Sequence, residues 1–266
     1  MKLKGKVALV TGAARGMGAA TCLALAKEGA DIAALDICGS KESGFGKSEQ
    51  LEQVVNNVKK LGCRAIPLVC DITQEDQVKA AVNQAVDEFG KIHILVNSVG
   101  FVRFGLVQEM SYEVWKKIFE VNIHGVFLAC KYTLPIIIKQ NWGRIVNISS
   151  DGGVRAIPKY SAYCASKFAV IGLTQSLANE VGQYHITVNA VCPAATSGEF
   201  FDSQAKLLNT TLEELRKSAV SRNIIQEMIS PEDVANAITW LCTDSARFIT
   251  GHSLYVDAGC LTKIYY

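Results

Sequence analysis

Short apolar runs alternate with helical patterns along almost the whole chain. Runs such as VALV, ILVN and RIVNI are dominated by apolar residues and do not alternate with polar ones. This is typical of strands in a parallel sheet that helices cover on both faces. The pattern predicts strands at residues 6–11, 31–35, 64–70, 92–96, 143–148, 186–191 and 253–256.

The segments between these runs have helical patterns, and two of them begin with clear start signals. Ser111 precedes Glu113 in one, and Ser230 precedes Pro231 at a first-turn position in the other. Right-handed crossovers through such helices build an α/β fold with a doubly wound parallel sheet of about seven strands, whose ligands bind at the carboxyl ends of the strands. The predicted helices cover residues 17–28, 48–61, 74–89, 111–140, 161–181 and 231–242.

Two segments interrupt this alternation. Residues 38–47 form a Gly/Ser-rich insertion after the second strand, and residues 194–223 form a long polar and aromatic stretch before the last helix. Long excursions in compact domains usually carry function, so we expect residues 194–223 to be a substrate lid. Because the chain has no repeat, long linker or low-complexity tract, we expect one domain spanning residues 1–266.

The composition narrows the class of protein. The 266 residues carry 27 Lys and Arg against 25 Asp and Glu, a net charge of +2 without a clustered basic stripe, so no nucleic acid or membrane partner is expected. No apolar run approaches ~18 residues and no signal peptide is recognisable, which predicts a soluble protein. Nine scattered cysteines without a C-x-x-C pair indicate a reducing, cytoplasmic compartment, and four widely separated histidines predict no metal site.

A glycine-rich turn, TGAARGMG, joins the first strand to the first helix and contains Gly12, Gly16 and Gly18. Such glycines let the backbone approach a pyrophosphate at a helix N-terminus, although a simple strand-to-helix turn remains an alternative. Asp36 follows Gly18 by eighteen residues and ends the second strand, where an acid accepts hydrogen bonds from an adenosine ribose. A carboxylate there repels a 2′-phosphate and outweighs the nearby cation of Arg15, so the predicted cofactor is NAD, preferred over NADP.

Tyr163 and Lys167 lie four residues apart at the start of a predicted helix, and therefore on one face. A tyrosine ordinarily titrates near pH 10, and lowering its pKa by three units takes about 4 kcal/mol. A cation at ~4 Å supplies roughly that in an effective dielectric of ~20, and both Lys167 and an oxidised nicotinamide are candidates. Alone, such a pair is also common on protein surfaces.

Further polar groups gather at the same edge of the predicted sheet. Ser149 and Ser150 end the fifth strand, and NSVG, beginning at Asn97, ends the fourth. Asn122 lies within an apolar stretch of a predicted helix, where a buried amide needs a hydrogen-bond partner.

TGAARGMG, NSVG, Asn122, NISS and YCASK, in this order and spacing, resemble the short-chain dehydrogenase/reductase family in its subunit type of about 250 residues. The resemblance implies a Rossmann-type fold and a catalytic tetrad of Asn122, Ser150, Tyr163 and Lys167. Ser150 is preferred to Ser149 because the family's serine precedes the tyrosine by thirteen residues. The resemblance makes Tyr163 the acid/base, Ser150 the group that orients the substrate oxygen and Lys167 the ligand of the nicotinamide ribose. Asn122 would hold a water through its backbone.

The resemblance also implies a set of cofactor-binding residues, with Asp71 at the adenine and 193–196 at the nicotinamide carboxamide. NSVG replaces the family's usual N-N-A-G, and Pro193-Ala194 replaces Pro-Gly. The implied residues are Gly12, Arg15, Gly16, Met17, Gly18, Asp36, Ile37, Asp71, Ile72, Asn97, Gly100, Tyr163, Lys167, Pro193 and Thr196.

Apolar side chains in residues 101–104, 151–157 and 194–208 are the candidate walls of a substrate site, although packing would account for each of them. They favour a medium-sized, mainly apolar secondary alcohol or ketone, with cyclic ones included. Arg103 and Arg155 are either partners of a substrate carboxylate or phosphate or solvated surface residues. The candidate substrate residues are Ser150, Tyr163, Phe101, Phe104, Val154 and Phe200.

These observations favour an NAD-dependent alcohol dehydrogenase or carbonyl reductase that acts on a small molecule. A 3-oxoacyl-thioester reductase is an alternative that Asp36 opposes, because such reductases mostly prefer NADPH. A non-catalytic nucleotide-binding member is a further alternative, which the complete tetrad opposes. The resemblance implies a homotetramer, and residues 38–47 resemble the longer adenosine-side loops of some NAD-linked terpene- and cyclohexanol-type members.

Overall fold

Seven parallel strands form one sheet in the computed structural model, which describes residues 1–39 and 46–264, without the side chains of Phe200 and Lys206. The strands are β1 Val7–Thr11, β2 Asp31–Asp36, β3 Ala65–Val69, β4 Ile94–Asn97, β5 Gly143–Ile148, β6 Ile186–Pro193 and β7 Ser253–Val256. Their order in the sheet is β3-β2-β1-β4-β5-β6-β7. The order reverses between β1 and β4, and the carboxyl ends of strands beside such a reversal border a crevice.

Helices cover both faces of the sheet. They are α1 Gly16–Lys27, α2 Ser48–Lys60, α3 Glu75–Phe89, α4 Tyr112–Phe119, α5 Gly125–Lys139, α6 Ser161–Val181, α7 Glu199–Leu207, α8 Leu212–Ser221 and α9 Pro231–Leu241. In β1, Ala8 and Val10 belong to the core shared with α1, α2 and α9, whereas Val7 and Leu9 belong to the core shared with α3, α5 and α6. Because successive side chains point to opposite covered faces, nearly every position must be apolar.

The predicted α/β fold with a doubly wound sheet of about seven strands is therefore confirmed, but two predicted stretches differ in detail. The helix expected at 111–140 is divided by a π-helical turn, Glu120–His124, in which the Gly125 N–H donates to the Glu120 carbonyl. The excursion at 194–223 contains α7 and α8, which the sequence interpretation did not include. Residues 40–45 of the 38–47 insertion lie outside the described residues.

The helical run Tyr112–Lys139 is long and apolar enough to cross a membrane, with a mean hydropathy of 1.5 over its most apolar window, half of which is buried. It was not anticipated, because no uninterrupted apolar run in the sequence is that long. Val126, Ala129 and Ile137 of this run belong to the core between helices and sheet. The run packs as the core helix of a folded domain does.

Three buried polar side chains attach α6 to the middle of the sheet. Asn97 Nδ2 donates to Asn147 Oδ1 at 2.8 Å, and Asn147 Nδ2 donates to Thr174 Oγ1 at 2.9 Å. The Thr174 hydroxyl in turn donates to the Val170 carbonyl of its own helix at 2.8 Å. Buried polar groups are costly without partners, so this chain of hydrogen bonds holds α6 in one position over β4 and β5.

Thr174→Val should lower the free energy of unfolding by about 1–3 kcal/mol, because the buried amide of Asn147 loses its acceptor. Thr133→Val is the matched control, since Thr133 is also buried in a helix but donates only within its own helix, to the Ala129 carbonyl at 2.7 Å. It should cost about 1 kcal/mol or less. Urea unfolding measures both, and equal losses would contradict the role of this hydrogen-bond chain.

Candidate active site

A large cleft lies at the carboxyl ends of the strands, as expected for a doubly wound sheet. Gly12 after β1, Asp36 at the end of β2, Ser98 after β4 and Ser150 after β5 line it. The other wall comes from α7 and α8, through residues such as Phe201.

The glycine turn leaves backbone facing the cleft. Gly12 and Gly16 have positive φ values of +66° and +56°, a backbone conformation that favours glycine. A Cβ at Gly18 would collide with the Gly12 carbonyl, so only glycine permits this close approach. No side chain caps the N-terminus of α1. An uncapped helix start behind such a turn fits a phosphate group.

Asp36 presents a buried carboxylate to the cleft, with 6% of the residue exposed. Its Oδ2 accepts from the Ala14 N–H at 3.1 Å and its Oδ1 accepts from the Cys38 N–H at 3.2 Å. Arg15 forms an ion pair of 3.0 Å with Glu199 at the start of α7. The cation expected to compete with Asp36 is therefore paired with an acid of the neighbouring helix.

Tyr163 and Lys167 both line the cleft from one face of α6. Lys167 is 2% exposed, and its Nζ donates to the Ile148 carbonyl at 2.8 Å. Burial lowers the pKa of Lys167 to about 8. The Lys167 Nζ lies 5.8 Å from the centroid of the Tyr163 ring, so the two side chains are neighbours as the spacing predicted.

The pKa of Tyr163 is shifted upward, whereas a downward shift was expected from the sequence. Burial raises the pKa of this phenol, the hydrogen bond with Ser150 opposes the rise, and the negative charge of Asp151 adds to it. Lys167, itself shifted toward its neutral form, does not reverse the balance. The protein's own groups therefore favour a protonated Tyr163 at neutral pH.

The two serines after β5 have different surroundings. Ser149 Oγ donates to the Lys167 carbonyl at 2.9 Å. A Cβ at Gly153 would collide with the Ser149 Oγ atom. Ser150 Oγ donates to Asp151 Oδ1 at 3.0 Å and accepts from the Gly152 N–H at 3.1 Å. The hydroxyl of Ser149 is thus used within the fold, whereas Ser150 is the serine that interacts with Tyr163.

Asn122 lies in the π-helical turn but does not line the cleft. Its Oδ1 accepts from the Phe101 N–H at 2.7 Å, and its Nδ2 donates to the Phe101 carbonyl at 2.9 Å and to Ser166 Oγ at 3.0 Å. The side chain therefore fixes the segment after β4 and α6. Only its backbone is left for the water-holding role that the resemblance implies.

Asn97 likewise does not line the cleft, because its side chain is used between β4 and β5. Its assignment as a cofactor contact stays a prediction. The other predicted cofactor residues do line the cleft, and they are Gly12, Arg15, Gly16, Met17, Gly18, Asp36, Ile37, Asp71, Ile72, Gly100, Tyr163, Lys167, Pro193 and Thr196.

Part of the predicted apolar wall packs away from the cleft, whereas Ile157 and Phe201 of the same predicted segments line it. Phe101 packs under the Arg103 guanidinium at 4.4 Å and Phe104 packs on Tyr160 with ring centroids 4.5 Å apart, while neither they nor Val154 line the cleft. The side chain of Phe200 lies outside the described residues. Phe101 and Phe104 thus pack against neighbouring side chains and not into the cleft.

The two arginines that sequence reasoning weighed as substrate partners also have other partners. Arg155 forms an ion pair of 2.9 Å with Asp151, and the Arg103 Nη1 donates to the Val102 carbonyl at 2.9 Å. Neither lines the cleft.

Part of the observed wall of the cleft could be predicted from the sequence. Tyr160 immediately precedes α6 and lies three residues before Tyr163, and the T-x-x-E capping box of Thr211 and Glu214 marks the start of α8. Of the residues that line the cleft, Val102, Ile157, Phe201 and Gln204 fall within the predicted wall segments, whereas Lys117, Val121, Tyr160, Leu215 and Arg222 fall outside them.

No group of three or more His, Cys, Asp or Glu side chains suited to a metal ion occurs within residues 1–39 and 46–264.

Comparison with known proteins identifies the family. A family model described as Enoyl-(Acyl carrier protein) reductase matches residues 12–261. The chain is 36% identical to a 3-oxoacyl-[acyl-carrier-protein] reductase of Thermotoga maritima, over 97% of this chain and 99% of that protein. The chain belongs to the short-chain dehydrogenase/reductase family.

Solved structures of other short-chain dehydrogenase/reductases resemble this one closely. Carveol dehydrogenase from Mycobacterium avium, in complex with NAD, superposes with a TM-score of 0.92 at 33% identity, over 98% of this chain and 99% of that one. An NAD+-bound xylitol dehydrogenase superposes with a TM-score of 0.89 at 32% identity, over 96% of this chain and 99% of that one. These relatives share the fold and oxidoreductase class but act on different substrates.

Gly18→Ala should lower the free energy of unfolding by about 1–3 kcal/mol, because the added methyl group collides with the Gly12 backbone. Gly172→Ala is the control: Gly172 is exposed within α6 and a Cβ there meets nothing within 4 Å. It should stabilise the protein by about 0.5–1 kcal/mol. Urea unfolding measures both changes, and a fully stable Gly18→Ala variant would show that the turn does not need this close approach.

Proposed function

We propose that this chain is an NAD-dependent oxidoreductase that interconverts a secondary alcohol and its ketone by hydride transfer. The observation that carries the proposal is one cleft lined by Asp36 at one end and by Ser150, Tyr163 and Lys167 at the other. The family membership supports the oxidoreductase class. The NAD-bound carveol and xylitol dehydrogenases support a nicotinamide cofactor.

The preference for NAD rests on charge. The carboxylate of Asp36 is buried, and its backbone partners are Ala14 and Cys38. A 2′-phosphate beside it would bring two negative charges together in a poorly solvated place. Arg15 would be the natural counter-ion, but its ion pair with Glu199 supports the same preference.

Three side chains have separate roles in the proposed mechanism. When bound, the nicotinamide supplies the carbon that accepts or donates hydride and, in its oxidised form, a positive charge. Tyr163 holds a proton at the substrate oxygen and donates it during ketone reduction, which suits a phenol whose pKa is raised by burial. The Ser150 hydroxyl, whose one proton is donated to Asp151 in this structure, orients that oxygen when it turns the proton toward it. Lys167, anchored on Ile148, binds the nicotinamide ribose.

Alcohol oxidation needs the opposite protonation state of Tyr163. The phenolate must be stabilised against burial and against the charge of Asp151, both of which raise the phenol pKa. A cation next to the ring offsets these effects, and the ammonium form of Lys167 is one source. The reaction should therefore favour oxidation at higher pH and reduction at lower pH.

Reduction of a 3-oxoacyl thioester is the second candidate, and the similarity to the Thermotoga maritima reductase favours it. The buried carboxylate of Asp36 opposes it, as far as such reductases use NADPH. A non-catalytic role would leave Ser150, Tyr163 and Lys167 in the cleft without a purpose.

We further propose that residues 1–266 form one dinucleotide-binding and catalytic domain in which 194–223 is the substrate lid, since α7 and α8 supply Phe201 and Leu215 to the cleft. A cytoplasmic location and a homotetramer remain predictions. All nine cysteines are free thiols, as expected in a reducing compartment. Exposed apolar side chains such as Phe127, Phe168 and Trp240 suit subunit contacts.

Tyr163→Phe should lower kcat at least ~100-fold, because the variant cannot move the proton at the substrate oxygen. NAD affinity, measured by calorimetric titration, should be unchanged. Tyr112→Phe is the control, because Tyr112 is exposed at the start of α4, and it should turn over like the wild type. Undiminished turnover by Tyr163→Phe would refute the acid/base assignment.

Asp36→Asn should shift the ratio of kcat/KM with NAD to that with NADP at least ~10-fold toward NADP, because it removes the charge that repels the 2′-phosphate. Asp31→Asn, at the other end of β2 and paired with Arg64 on the surface, should leave the ratio unchanged. Steady-state kinetics with both cofactors measures this ratio. A ratio that stays the same in Asp36→Asn would show that another group selects the cofactor.

A further inference from the structure

The charged side chains that line the cleft are unevenly partnered. Each carboxylate there has a partner among the described residues, namely backbone N–H groups for Asp36 and Asp71, Arg155 for Asp151 and Arg15 for Glu199. Two cations that line the same cleft, Arg222 and Lys117, form no side-chain hydrogen bond or ion pair with any residue in the described part of the chain. Four cations face four carboxylates in this lining, and Arg222 and Lys117 remain without a direct side-chain partner within the described residues.

Arg222 is held firmly in spite of its unpartnered side chain. It ends α8, where its N–H donates to the Ala219 carbonyl at 3.2 Å. The next residue, Asn223, is buried, and its amide donates to the Glu227 carbonyl at 2.8 Å while its own carbonyl accepts from the Lys263 Nζ at 3.0 Å. The Nε atom of Arg222 is buried and has no acceptor, which is unfavourable for a guanidinium unless a ligand supplies one.

The position of Arg222 relates it to the reacting groups. Arg222 and Tyr160 both line the cleft, and the positive charge of Arg222 opposes the rise that burial causes in the pKa of Tyr160. The Tyr160 ring centroid is 6.2 Å from that of Tyr163. Arg222 therefore lines the same cleft as the acid/base and acts electrostatically on the tyrosine next to it. Lys117 reaches the cleft from α4.

We infer that Arg222, assisted by Lys117, forms an anion-binding subsite, and that the substrate is a secondary alcohol or ketone bearing a carboxylate or phosphate group. A guanidinium offers two parallel N–H donors that match the oxygens of either anion. Val102, Phe201 and Leu215 line the cleft with apolar surface that suits the body of such a molecule. This inference adds a substrate class to the proposed function. It rests on that proposed function for the identity of the reaction.

The test is calorimetric titration of the full-length protein saturated with NADH. The probes are cyclohexanecarboxylate, cyclohexyl phosphate and the neutral cyclohexylmethanol, which share one ring. We expect at least one anion to bind ~10- to 100-fold more tightly than cyclohexylmethanol, as a charge-assisted hydrogen bond would provide. The tighter anion identifies which group the substrate carries. Equal affinity for all three probes would overturn the subsite.

Variants locate the effect. Arg222→Met should abolish the preference for the anion while leaving the affinity for cyclohexylmethanol unchanged, Arg222→Lys should retain part of it, and Lys117→Met should reduce it. Lys217→Met is the matched control, because Lys217 is an exposed cation on α8 that does not line the cleft. Unchanged NADH binding shows that each variant is folded. An anion preference that survives Arg222→Met together with Lys117→Met would overturn the assignment.

Turnover separates this inference from the proposed reaction. NAD reduction is followed with 4-hydroxycyclohexanecarboxylate and with cyclohexanol, and Arg222→Met should raise KM for the acid at least ~10-fold at unchanged kcat. If the anion probes bind selectively but neither alcohol reduces NAD, the proposed reaction fails and the subsite stands. If both alcohols react equally well in the wild type and in Arg222→Met, the subsite fails and the reaction stands.

Discussion

The amino group of Lys167 is drawn into the interior of the protein by a hydrogen bond to the Ile148 carbonyl, and the geometry of the cleft depends on that contact. A buried ammonium tolerates little displacement, because its solvation is replaced by very few protein groups. The helix that carries it must therefore be fixed over the end of β5. Two further buried contacts do this, from Ser149 Oγ to the Lys167 carbonyl and from Asn147 to Thr174. With α6 in place, the helical repeat alone brings Tyr163 into the cleft.

The same fold separates the cleft into two electrostatic ends. At one end the reversal of strand order between β1 and β4 and the glycine turn expose an uncapped helix start beside the carboxylate of Asp36. At the other end are Ser150, Tyr163 and Lys167, and helices outside the sheet add Arg222 and Lys117 to the lining of the cleft. Phosphates fit the first end and an anionic substrate the second, beside the proton-transferring groups. Arg15 links the two regions through its ion pair with Glu199 of α7.

Much of the fold was predictable because both faces of the sheet are covered. The central strands then become largely apolar runs, which can be read without knowing any contact. The spacing of Tyr163 and Lys167 was equally legible, since two residues four apart on a helix share a face. In contrast, residue type does not reveal which of several loop aromatics faces a cavity. Phe104 stacks on Tyr160, whereas the smaller Val102 lines the cleft.

Other features depend on the balance of long-range contacts and so escaped sequence reasoning. The Asn122 side-chain amide is hydrogen-bonded to the backbone of Phe101, a residue twenty-one positions away. Asn122 also lies in a π-helical turn that no local sequence pattern indicates. The pKa of Tyr163 depends on the balance of burial, the hydrogen bond with Ser150 and the charge of Asp151. That balance cannot be judged until the positions of these groups are known. Arg222 was indistinguishable from a surface arginine until its helix was placed against the cleft.

The central claim is that one cleft binds NAD in a single orientation and performs chemistry at Tyr163. A crystal structure of the protein grown with NAD tests it most directly. We expect the adenosine ribose hydroxyls within hydrogen-bonding distance, about 3 Å, of the Asp36 carboxylate, and the nicotinamide half beside Tyr163 and Lys167. A cofactor bound outside the cleft, or with its two halves reversed, would contradict the account.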